Sequence, residues 1–170
     1  MKEQVLLLTC IFALGGCTRP TTNKSMETIE SVKPKLDQQV NVAIWYTEYE
    51  GRNEAIRYAN GHFSETFGIS VDEILEKKRY HLVNPPDTPE ELIEQYKDED
   101  MAAMKDGSFL NRGPFGSGKD IVVVKLRFDQ GMLGLFKLVD SVSGDGELKL
   151  GDVDAEILEV VRAVRPDLFE

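Results

Sequence analysis

Two periods of apolar residues alternate along the chain and divide it into elements. Val40 to Thr47 places small and large apolar residues on both faces and predicts a first strand. Gly51 lends permissive backbone to the polar stretch Glu48–Asn53, which is expected to turn. Ala55–Ala59 returns as a second strand, with Ile56 and Tyr58 alternating with Arg57. The period then changes. Phe63 and Phe67 stand four residues apart on one face of a short helical turn, entered through Asn60-Gly61 and closed by Gly68 as a left-handed cap. Ser70 predicts the N-cap of a helix over Val71–Lys77, with Asp72 and Glu73 in its first turn and the run Lys77-Lys78-Arg79 as a solvated cationic end.

The prolines of Asn84-Pro85-Pro86-Asp87-Thr88-Pro89 forbid helix and predict a rigid loop. Thr88 or Asp87 is expected to cap a longer helix, Pro89 to about Lys105. Leu92, Tyr96, Met101 and Met104 form its expected buried stripe, and Asp98-Glu99-Asp100 reads as a solvated run. Gly107 ends it. Three strands follow, Ser108–Phe115, the Val-rich Asp120–Phe128, and Met132–Val139, with Gly131 expected in the left-handed position of the last hairpin. After a Gly-rich connector, Ser141–Leu150, Asp152 is the expected cap of a final helix, Val153–Val164, that Pro166 stops. Val153, Ile157, Val160 and Val164 share one face of it, which should pack on the domain.

The order strand, Tyr58-Ala59-Asn60, then Phe63, then Phe67-Gly68-Ile69-Ser70 and an acidic Val71-Asp72-Glu73-Ile74-Leu75 helix resembles the PAS domain family. The resemblance covers residues 38 to 141. It implies an α+β fold, a five-stranded antiparallel sheet with helices gathered on one face. It also implies a cavity between sheet and helices, for which Trp45, Tyr58, Asn60, Phe63, Phe67, Tyr96, Met101, Met104 and Phe136 are the candidate lining. The same side chains, with Phe109, would fill an ordinary core, which is the favoured expectation.

The N-terminus is a separate matter. Lys2 precedes an apolar run, Val5–Leu14, long enough for a signal-peptide core and too short to span a bilayer. It ends Leu14-Gly15-Gly16-Cys17, which resembles the bacterial lipobox, in which the cysteine takes a diacylglyceryl group. Glu3 departs from the positive n-region such segments carry. The division that follows is a signal peptide at 1–16, a lipid-anchored flexible tether at 17–38, the PAS-like domain at 39–141, and a connector with a C-terminal helix at 142–170. Residues 18–38, without a sustained period beyond a turn of helix expected at Met26–Val32, are expected to contribute little to folding. Thr18 is not the Asp that retains such lipoproteins in the inner membrane, so the resemblance implies the outer membrane, facing the periplasm.

Charge narrows the partners. A formal net charge of −10 disfavours nucleic acid and anionic lipid headgroups as partners, since both need a basic surface, and no nucleic acid is expected. With Cys10 in the removed segment and Cys17 lipidated, the 2 cysteines leave the mature fold without thiol chemistry. Gly113–Asp120 superficially looks like a phosphate loop, but Asp120 stands where Ser or Thr is needed and a strand follows, so a hairpin is expected. No metal set is expected from His62 and His81, the two histidines. Haem-binding PAS domains carry their ligand histidine on the long helix, where this chain has none; neither haem, flavin nor another cofactor is expected. No catalytic constellation is apparent.

These readings lead to a lipid-anchored sensor or binding module recognising a small molecule or a partner protein, without an output domain of its own. A homodimer is left open. The rival is an assembly lipoprotein that uses the sheet for protein contact, and a secreted enzyme on the same fold is a third.

Overall fold

The computed structural model describes residues 27–51, 53–77, 88–116, 119–140 and 148–169. The signal peptide, Cys17, the end of the basic run, His81, the first part of the proline loop and most of the Gly-rich connector lie outside them. Strand β1 (Ala43–Glu50) pairs with β2 (Asn53–Ala59) on one side and with β5 (Gly131–Asp140) on the other; β4 (Lys119–Phe128) and β3 (Ser108–Gly116) complete an antiparallel sheet in the order β2-β1-β5-β4-β3. Between β2 and β3 run α2 (Gly61–Phe67), α3 (Val71–Lys77) and α4 (Glu90–Asp106). This is the PAS-like arrangement that the central motif implies.

Strand alternation sorts side chains into two layers. Val122, Val124, Leu126 and Phe128 of β4 join one apolar cluster, while Ile121 and Val123 pack in the other with Trp45, Phe63 and Phe136. Helices α2–α4 cover the second layer. The first is covered by α1 (Ile29–Leu36) and α5 (Ala155–Val164), through Ile29, Val32, Leu36, Ile157, Val160, Val161 and Val164. The expectation of helices on one face therefore holds for α2–α4 alone, and both faces of the sheet are clothed.

Helix α1 corrects the tether. Ile29, Val32 and Leu36 form one short stripe at helical spacing, and Val32 and Leu36 are fully buried. Pro34 lies inside the helix and removes one backbone donor, which hid the pattern. The helix is fixed further where Tyr58 Oη donates to Asp37 at 2.8 Å and the Lys33 ammonium lies 5.8 Å from the Tyr58 ring centre. Residues 27–38 thus belong to the folded unit.

Smaller differences have local causes. The first two strands extend further into the expected turn, to Glu50 and from Asn53, while Val40 stays exposed. In the last hairpin Asp129, not Gly131, takes the positive φ, 52°. Gly131 is required for another reason: a Cβ there would fall 2.2 Å from the Thr47 carbonyl oxygen. Asp154 rather than Asp152 caps α5, accepting from Glu156 N at 2.9 Å. Pro89, not Thr88, occupies the N-cap of α4, and no side chain caps it there; Asp87 lies outside the described residues. The glycine-rich stretch after Gly113 is a β-hairpin, with Gly116 paired to Lys119.

Candidate functional site

Asn60 is the joint between sheet and helices. Its amide nitrogen donates to Val42 O at 2.9 Å and Gln39 O at 3.1 Å; its oxygen accepts from Ile44 N and Phe63 N, both at 3.0 Å. Both donors and both lone-pair directions are used, and the residue is 1% exposed. An asparagine so saturated has nothing left to offer a ligand. It holds β1, the chain after α1 and the first turn of α2 together.

Beyond Asn60, rings fill much of the layer between the sheet and α2. The Trp45 and Phe63 centroids are 5.7 Å apart, Phe63 and Phe67 4.6 Å, and Phe67 and Phe136 5.8 Å. The Trp45 indole lies directly on the backbone of Gly134, where a Cβ would meet it at 2.1 Å. Met104 joins this layer and Tyr58 lies in the opposite one, against α1. The nine candidate lining residues are therefore not brought around one space.

The charged side chains of this layer were missed. Helix α4 buries Asp100 and Ala103, not the expected methionines, and only Asp98 of the acidic run is exposed. Tyr96, Asp100, Ala103 and Gly107 follow one helical face toward the sheet. From β4, Lys125 reaches into the same layer with 2% of its side chain exposed. Its ammonium lies 2.6 Å from Asp100 Oδ1 and 2.9 Å from Glu99 Oε2, and it donates to the Tyr96 carbonyl at 3.2 Å. The other Asp100 oxygen accepts a short hydrogen bond from Tyr49 Oη. The rings of Phe109 and Tyr96 stand 5.8 and 6.0 Å from the ammonium, within cation–π range. Burial pushes the Asp100 carboxyl above its ordinary value, against the opposing pull of Lys125 and Tyr49. Thr47 Oγ1, also buried on β1, has no hydrogen-bond partner among the described residues.

Glu99 links this cluster to a groove of about 740 Å³ between α4 and β3, walled by Glu90, Glu91, Glu94, Gln95, Asp98, Glu99 and Ala102 with Phe109. A second groove of about 510 Å³ has His62, Thr66, Phe136, Lys137, Leu138, Asn41 and Glu156 at its rim, and His62 is half-buried there.

No family model and no curated protein matches the chain. Among solved structures it is similar to the blue-light activated histidine kinase EL346 of Erythrobacter litoralis, at 13% identity and a TM-score of 0.45, over 80% of this chain and 43% of that one. The chain thus spans less than half the length of that protein. The PAS-like character of the fold rests on its own strand order and helix placement.

The residues that distinguish this site carried one legible signal each. Lys125 interrupts a run of β-branched residues on the face shared by Ile121 and Val123, where a strand interior does not tolerate an unpaired charge. Asp100 stands at i+4 from Tyr96, on the face that Ala103 also buries. Among the described residues no three His, Cys, Asp or Glu side chains converge as a metal site.

Proposed function

We propose that this chain is a lipid-anchored PAS-type sensor or binding module, held to the membrane through Cys17 and facing the periplasm, that passes its signal to a partner protein. One observation supports the sensing reading above others. A lysine and two carboxylates occupy a layer that, for stability alone, would be filled as well or better by Leu and Met, since burying an ion pair rarely gains over apolar packing. Charge kept at such a cost between sheet and long helix is suited to answering a ligand. In the lipobox resemblance Cys17 follows Leu14-Gly15-Gly16, and a single lipid-modified residue would hold the module at the bilayer.

The contact of Trp45, Phe63, Phe67 and Phe136 supports a second reading, in which the module binds only protein. Denaturing the purified chain and analysing what it releases by mass spectrometry separates the two. A defined small molecule supports sensing, and solvent background alone leaves protein contact. Anchoring has its own test. Metabolic labelling with a fatty-acid analogue should mark the wild type and not Cys17→Ala; equal labelling of both, or of neither, defeats it.

A further inference from the structure

Strand β3 ends the sheet, and among the described residues no strand lies on its outer side. An unpaired edge is a row of backbone donors and acceptors that natural proteins guard with outward charge, bulges or a covering element. The proline and the register shift of β3 lie at its far end, Pro114–Gly116; from Ser108 to Gly113 the edge has a single charged side chain, Arg112, and it is turned inward: Arg112 bonds Asp120 of β4 at 3.0 Å and the Asp140 carbonyl at 3.2 Å. The opposite edge differs, since β2 carries two charged side chains, Glu54 and Arg57.

Alongside β3 runs the groove floored by Phe109, and its α4 wall carries Glu90, Glu91, Glu94 and Asp98. We infer that the edge of β3 is a docking site for an extended, basic segment of a partner protein, which adds a sixth strand and places its lysines or arginines against α4. The backbone of β3 would supply the affinity, and the carboxylates would select the sign of the side chains. Spacing agrees. Glu91 and Asp98 are seven residues apart on the helix, about 10 Å along its axis. Cations at alternate positions of a strand recur about every 6.6 Å, so two or three of them span the wall. Binding at this edge is separate from small-molecule retention in the buried layer, and either can fail without the other.

The test uses the full chain and three labelled peptides of about ten residues, a length that pairs an ordinary strand. One alternates lysine with threonine, one alternates glutamate with threonine, and one is the lysine peptide N-methylated at alternate amides. Fluorescence anisotropy should show the lysine peptide binding about tenfold or more tighter than either control, and weakening as salt is added. Amide exchange should slow within Ser108–Gly113 on binding. Glu90→Lys/Glu91→Lys, at two exposed positions, should weaken binding about tenfold; because both lie in the first turn of α4, the variant should melt slightly earlier but still cooperatively. Absence of binding by the lysine peptide overturns the inference. So does equal binding by the N-methylated or glutamate peptide, or an exchange pattern unaltered in β3.

Discussion

Two lysines of this sheet sit in matching company and in opposite surroundings. Lys125 on β4 meets Glu99 and Asp100 of α4; Lys137 on β5 meets Asp154 and Glu156 at the start of α5, at 2.8 Å for Asp154 and by a short contact for Glu156. Each is one ammonium between two carboxylates from one helix. Around Lys137 water remains near: Asp154 is 33% and Glu156 42% exposed. There the hydrogen bond from Lys137 holds both carboxyls below their usual range. Around Lys125 burial dominates, and Asp100 moves the other way despite a contact of 2.6 Å. Solvent decides the sign. The rim pair resembles the common surface ion pair, while the buried one makes the fold carry a desolvated charge.

The largest expected effect follows from removing the buried cation. Lys125→Met leaves Asp100 without its ammonium in an apolar layer, and should destabilise by about 3–5 kcal/mol in denaturant melts. Replacing both partners, Lys125→Met/Asp100→Asn, should recover much of that loss, because the fully buried carboxylate is gone and the amide can still accept from Tyr49, while Glu99, which loses its ammonium, borders the groove. A double variant as unstable as the single one would show that the cluster is structural.

Asn60→Ala comes next, at about 1–3 kcal/mol, since Ile44 N, Phe63 N, Gln39 O and Val42 O lose one shared partner. An unchanged melting temperature would deny Asn60 its role as the joint. Lys137→Met should cost no more than about 1 kcal/mol, and less at high salt. A loss equal to that of Lys125→Met would erase the contrast between the two clusters.

Dependence on pH sharpens the comparison further. Asp100 has a folded pKa raised above its ordinary 3.8, so the folded state keeps its proton longer and stability falls as pH rises from there through the raised value. Asp100→Asn should flatten that fall. Asp154 is the reverse case: its folded pKa is lowered, so its contribution is present above the ordinary carboxylate range and is lost as pH drops through the lowered value. Chemical melts across acidic pH should give slopes of opposite sign for the two sites. Equal slopes in Asp100→Asn and wild type would contradict the burial of an uneasy carboxylate.

Local chemistry made part of the fold legible. Asn60-Gly61 and Phe67-Gly68 mark the ends of α2 because a side-chain acceptor and a left-handed glycine are local requirements, and Gly68 has a φ of 65°. The Val-rich β4 announced itself in the same way. What failed depended on contacts distant in sequence. The stripe of α1 counts three residues and the helix contains Pro34, so the sequence suggests only one turn, at Met26–Val32, and docking against the sheet reveals its extent and burial. Asp100 lies in an acidic run of which only Asp98 is exposed, and its burial is explained by partners far along the chain, Lys125 and Tyr49. The aromatic residues were recognised as a group, but strand alternation sends Tyr58 to the face opposite Trp45 and Phe63.

The central claim is that charge is kept between sheet and α4 for recognition. Native mass spectrometry of the full chain, extracted in mild detergent and run beside Lys125→Met/Asp100→Asn, tests it most directly. The account predicts a retained small molecule on the wild type that the variant loses while still unfolding cooperatively. A wild type at its bare mass, or an adduct carried equally by both, would contradict it.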